Sequence, residues 1–186
     1  MSESRIITLD SVDTEVHGHF LEPGDTAPNF SLMPKFDLSS DAPEASPRVG
    51  LSTHEGRCRV LNIVVSLDTP LCALSSIYFD TLAKTHKGTV FYVISADSVF
   101  AQDRVMTSLQ LDRSAALSTV GTSFARDFGV LIGSGPLKGL CARAVVVLDR
   151  MNKVVYSELV PELLLEPDYE KAMMAVVQED VKNERS

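Results

Sequence analysis

The sequence predicts an α/β protein: a three-layer sandwich around one central mixed β-sheet. Three observations carry this expectation. Two β-rich apolar runs, Arg59 to Val65 and Thr89 to Ser95, are each followed by residues at helical spacing. Two further runs, Arg143 to Asp149 and Lys153 to Val160, flank Arg150-Met151-Asn152 and read as an antiparallel hairpin. Tyr169, Ala172, Met173, Val176 and Val177 then recur with the period of an amphipathic helix. Alternating strands and helices, then a hairpin and a last helix, fit a sheet covered on both faces.

The elements follow in order. Arg5 to Leu9 and Val12 to Val16 flank Asp10-Ser11 and predict an N-terminal hairpin. Glu22 to Asp25 is a turn, and Phe30 to Met33 a short extended piece. Residues 37–49 are polar, carry Pro43 and Pro47 and lack periodicity, so a surface loop is expected. Arg59 to Val65 is a strand buried on both faces. After Ser66 to Leu71, apolar residues at Leu74, Ile77, Tyr78 and Leu82 predict a helix with Cys72 in its first turn. Thr89 to Ser95 is a second buried strand and Val99 to Leu109 a helix. Ala116 to Thr119 is a short strand, and a short helix through Phe124 and Phe128 ends at Gly129.

The chain has 186 residues, which suits a single domain over 1–186 with a sizeable core. Its formal charge of −8 repels phosphate backbones and anionic membranes, and the Lys and Arg residues do not cluster. Nucleic acid and membrane are therefore not expected partners. The longest apolar runs fall short of the ~18 residues that read as a membrane span. The polar, acidic start lacks the basic and apolar regions of a signal peptide, so the cytoplasm is the expected compartment.

Cys58, Cys72 and Cys141 form no CxxC pair, and free thiols are the expectation. Cys72 stands apart because it follows a polar strand–helix junction, Ser66-Leu67-Asp68-Thr69-Pro70-Leu71. The start of a helix offers unpaired N–H groups and partial positive charge, both of which favour thiolate over thiol. Thr69 can place a hydroxyl beside the sulfur. Against this stands the ordinary role of a lone cysteine as a small buried hydrophobe. Arg143 by itself reads as a solvated charge opening an apolar strand. Cys141, two residues earlier, reads as a buried small side chain, though alternation could bring it to the face of Arg143. Cys58, between Arg57 and Arg59, reads as a surface bystander on a turn. His17-Gly18-His19 lacks an apparent third ligand, so no metal site and no cofactor are expected. Asp97 and Glu162 suit capping or ion-pair roles, with acid–base chemistry as the other option.

Several segments together resemble the thiol peroxidases, a branch of the atypical two-cysteine peroxiredoxins. They are Val60-Leu61-Asn62-Ile63 with Ser66 to Thr69 and Cys72; Ser95-Ala96-Asp97 with Phe100, Ala101, Gln102 and Arg104; Gly135 to Leu140 with Ala142 to Val147; and Leu159-Val160 with Glu162 and Glu166 to Tyr169. The resemblance implies a thioredoxin-like fold and three catalytic residues. Cys72 matches the thiol that attacks a hydroperoxide, Thr69 the hydroxyl partner of thiolate and peroxide, and Arg143 the cation that stabilises the thiolate and polarises the O–O bond. It also implies a homodimer packed near the active-site helices. Two positions depart from the family pattern. Val65 stands where the family has a shielding proline, and Met106 where it has the resolving cysteine. The expected activity is therefore reduction of hydrogen peroxide or organic hydroperoxides through a Cys72 sulfenic acid in one-cysteine fashion. An external thiol, thioredoxin-like or small, would be the reductant. A redox sensor and a non-catalytic binding protein are the alternative readings.

Overall fold

The computed structural model describes residues 4–35 and 47–184. Strands β1 (Ser4–Leu9) and β2 (Val12–His17) form the expected N-terminal hairpin. Its turn residues Asp10 and Ser11 have φ of 51° and 65°, the left-handed pair that a tight hairpin of matching twist requires. Most of the expected loop at 37–49 lies outside the described residues. Of its described end, Val49 pairs with Leu32 through two backbone hydrogen bonds of 2.9 Å.

The central sheet is built from β3 (Cys58–Ile63), β4 (Thr89–Ser95), β5 (Ala115–Ser118), β7 (Ala144–Leu148) and β8 (Val154–Leu159), in the order β5-β4-β3-β7-β8. Helix α1 (Pro70–Ala83) joins β3 to β4, and α2 (Val99–Ser108) joins β4 to β5, giving two parallel crossovers. β7 runs antiparallel to β3, and β8 antiparallel to β7. The sheet is therefore mixed, as expected, and the arrangement is thioredoxin-like. Every residue of β3 and β7 is buried, which is why both read as continuous apolar runs.

One face of the sheet carries the three longer helices. Phe79 of α1 and Ala172 and Val176 of α4 (Tyr169–Glu184) cluster with Val60, Phe91, Val145 and Val147. Register puts Asn62 opposite Val93, so Asn62 and Ser95 share that same face. Asn62 reaches Ser75 and Ser76 of α1, and Ser95 reaches Gln102 of α2. The opposite face joins a cluster with Phe30 and with Phe124 and Phe128, at either end of the short helix α3 (Phe124–Asp127). The rings of Phe124 and Phe128 stack at 4.2 Å, and Phe30 meets Phe124 edge-on at 5.6 Å. Gly129 ends α3 at φ 65°, and an added Cβ would fall 2.2 Å from the Phe20 nitrogen, so only glycine fits. The two-residue strand β6 (Leu131–Ile132), too short to show in the sequence, pairs with β2 and ties the hairpin to the body.

Candidate active site

The register of β3 and β7 brings the site together. Ile63, the last residue of β3, lies opposite Ala144, the first of β7. Arg143 therefore enters the sheet beside the end of β3, where the chain turns toward α1. The connecting loop is held by Asp97, which follows β4. Its carboxylate accepts from the Ser66 hydroxyl at 2.8 Å, the Leu67 amide at 2.7 Å and the Ser95 hydroxyl at 2.7 Å. Ser95 in turn accepts from the Gln102 amide at 2.9 Å. Asp97 thus pins the loop that leads into α1.

Helix α1 starts with Pro70 at its first position, where the missing N–H costs nothing and φ is preset. Thr69 precedes it in extended conformation. The first backbone bond of the helix runs from the Ala73 amide to the Thr69 carbonyl at 2.9 Å, so the amides of Leu71 and Cys72 sit at its open end. The first turn is anchored from below. The hydroxyls of Ser75 and Ser76 donate back to the Cys72 carbonyl at 3.0 and 2.8 Å, and both accept from the Asn62 side-chain amide at 3.3 and 3.4 Å. These groups are buried, and such a network rigidifies what it joins.

Arg143 is 3% exposed and Cys72 0% exposed. An Arg143 Nη2 hydrogen points at the Cys72 sulfur across 3.5 Å. Nε and Nη2 both donate to the Leu163 carbonyl at 3.2 Å, and Nη1 is buried with no hydrogen-bond partner. A buried guanidinium resting on one carbonyl has positive charge to spare for an anion. Tyr169 lies nearby, its ring stacked on Tyr78 at 4.2 Å. Burial, followed by Glu166, pushes its phenol above the usual range, while Arg143 opposes the rise.

The structure brings Cys72 and Arg143 together and places Thr69 at the mouth of the same helix. The Thr69 hydroxyl donates to the Ser66 carbonyl at 3.0 Å, which commits its proton and leaves its oxygen able to accept. Arg143 is no solvated strand end. It is buried, like every residue of β7 that follows it. Cys58 departs from its expected place on a surface turn: it is 1% exposed and opens β3, packed on the α1 and α4 side with Val60 and Phe79. Burial pushes its thiol up to about 11. Cys141 is a buried side chain pushed by burial up to about 12, with its sulfur 3.9 Å from the Thr119 hydroxyl. Val65 and Met106 are each 8% exposed and join the apolar cluster that includes Cys72. His17 pairs with Glu15 at 3.3 Å and His19 with Asp25 at 3.4 Å. Sequence reasoning missed Ser75, Ser76 and the Leu163 carbonyl. An asparagine inside a buried strand run was the available signal that some buried polar partner must exist.

Comparison with known proteins identifies the family. The Redoxin family model matches residues 22–173. A thiol peroxidase from Leptospira interrogans is 38% identical over 173 residues, covering 91% of this chain and 95% of the relative. Among solved structures, a peroxiredoxin-like protein from Aquifex aeolicus superposes with a TM-score of 0.83 at 29% identity, covering 95% of this chain and 98% of the other. A thiol peroxidase from Chromobacterium violaceum gives a TM-score of 0.81 at 23% identity over 97% and 99% of the two chains, a likeness of fold. The chain belongs to the Redoxin family and is similar along most of its length to the family's thiol peroxidases.

Proposed function

We propose that this single-domain protein is a thiol-dependent peroxidase that reduces hydrogen peroxide or organic hydroperoxides. One observation carries the reading: a buried, incompletely paired guanidinium, that of Arg143, points at the sulfur of a cysteine in the first turn of a helix. The Cys72 thiolate attacks the outer oxygen of the hydroperoxide. The O–O bond breaks, the sulfur gains an S–OH bond, and the alcohol or water leaves after taking up a proton. Arg143 and the amides of the first turn face the charge that passes from sulfur to oxygen. Thr69 accepts the hydroperoxide O–H and orients it. Because the sulfur is closed from solvent, substrate entry needs a small opening of the loop from Ser66 to Thr69.

With Met106 at the family's resolving position, recycling falls to an external thiol. That thiol attacks the sulfenic sulfur, releases water and leaves a mixed disulfide, which a second thiol reduces. The working protein is read as a cytoplasmic homodimer. The sensor reading draws on the same methionine, since a sulfenic acid without a built-in partner persists. Peroxide consumption by the purified chain with dithiothreitol tests the proposal. Catalytic turnover lost in Cys72→Ser and kept in Cys58→Ser is the expected result. Consumption of only one equivalent would favour the sensor, and equal turnover in Cys72→Ser would refute both.

A further inference from the structure

We propose that Glu162 is a positioning residue for the reacting thiol: it ties the β1–β2 turn to the segment after β8 and so fixes the Leu163 carbonyl on which Arg143 rests. The consequence for the rate rests on the peroxidase reading; the consequence for the thiolate does not.

The argument begins at the guanidinium. Arg143 reaches Cys72 with Nη2, and its bonds from Nε and Nη2 to oxygen both end on the Leu163 carbonyl. With Nη1 unpartnered, the position of this one carbonyl decides where the charge lies relative to the sulfur. Leu163 belongs to no strand or helix, so its carbonyl is not fixed by a regular ladder. It is fixed by the hairpin. The Thr8 amide donates to the Pro161 carbonyl at 2.8 Å, and the Leu163 amide to the Thr8 carbonyl at 2.9 Å.

Glu162, between them, closes this contact. Its carboxylate accepts from the Thr8 hydroxyl at 2.7 Å and the Leu164 amide at 3.0 Å. It also accepts from the amides of Asp10 and Ser11, each at 3.2 Å. The last two are the left-handed turn residues, whose amides project outward together and form a small anion cradle. Four donors on one carboxylate hold it ionised, with the Thr8 hydroxyl contributing most and its acidity held at about 2. Without the carboxylate, Leu163 keeps its core packing and the backbone bridge to Thr8, but the segment loses its tie to the β1–β2 turn, which sets the direction of the Leu163 carbonyl.

The test is a titration of the Cys72 thiolate by its ultraviolet absorbance in the native chain, Glu162→Ala and Glu162→Gln. Burial pushes the Cys58 and Cys141 thiols up, to about 11 and about 12, and a Cys72→Ser control identifies the part of the absorbance that belongs to Cys72. In Glu162→Ala the midpoint should rise by about one pH unit and the peroxide rate constant fall roughly tenfold. Glu162→Gln keeps one acceptor oxygen, enough for the Thr8 hydroxyl and Ser11 amide or for the Leu164 and Asp10 amides but not for both pairs, and should fall between. A lower melting temperature with unchanged thiolate midpoint would show a merely structural clamp and overturn the proposal. Should Glu162→Ala fail to fold, Thr8→Val removes a single donor and must shift the midpoint the same way; an unmoved midpoint there overturns it equally. If the native chain consumes no peroxide yet the midpoint moves, the peroxidase reading falls and the positioning role stands.

Discussion

Replacing Arg143 with methionine removes a buried cation while keeping most of the side-chain volume. The guanidinium nitrogen lies 3.5 Å from the sulfur, and the charge is spread over the group, so its centre is somewhat farther. At about 4–5 Å and an effective dielectric near 20, the attraction of thiolate and guanidinium is about 3–4 kcal/mol. Part of it is recovered as water and local dipoles respond, so a loss of about 3 kcal/mol is the working figure. At about 1.4 kcal/mol per factor of ten, that lowers the peroxide rate constant roughly 10²-fold. The Leu163 carbonyl also loses both its donors, and an unsatisfied buried acceptor costs about 1–3 kcal/mol of stability. The two effects are separable. Stopped-flow consumption of hydrogen peroxide gives the first and thermal unfolding the second. Arg143→Lys keeps the charge without the fork and should recover part of the rate. An Arg143→Met variant with lowered stability and unchanged peroxide rate would refute the electrostatic role.

Other predictions follow from individual contacts. Thr69→Val removes the hydroxyl that donates to Ser66 and should slow peroxide attack roughly tenfold or more, whereas Thr69→Ser should be tolerated; equal rates in both would exclude the hydroxyl. After one equivalent of peroxide, non-reducing mass spectrometry of the native chain should find a sulfenic adduct on Cys72, and excess peroxide should drive it to sulfinic acid. Met106→Cys should then form a bridge to Cys72 once α1 and α2 loosen locally, and a Cys72–Cys141 disulfide in the native chain would contradict this account. The Glu162 carboxyl is held at about 2 in the folded protein against an ordinary 4.5. A depressed acid stabilises fully above its ordinary value and loses that contribution as pH falls through its folded value. The melting-temperature gap between native and Glu162→Gln should therefore be full at neutral pH and narrow from about 4.5 toward 2. A gap that stays constant over that range would count against the carboxylate bonds.

Sequence alone determined what depends on neighbours along the chain. The periods of β3, β4, β7 and α4, the hairpin turn at Asp10-Ser11 and the helix start after Thr69 are written in residue types within a few positions of one another, because backbone preference and amphipathicity act at that range. The same local reading put Cys72 at a helix start with the Thr69 hydroxyl three residues before it, and resemblance supplied Arg143. Local reading failed at Cys58, because two flanking arginines look like a surface. Yet the Arg59 side chain is buried and its charge is met by the carbonyls of Leu51 and His54 and by Asn152, contacts that no local pattern announces. It failed also at β6, which exists only because β2 is there to pair with it. The chemistry belongs to the tertiary structure. The Arg143 guanidinium meets the Cys72 sulfur because β7 slots antiparallel beside β3, and it is aimed because a turn at Ser11 and a carboxylate at Glu162 hold the Leu163 carbonyl. Electrostatic influence on a buried thiol is set by distances of a few ångströms, and distances between residues far apart in sequence exist only once the chain has folded.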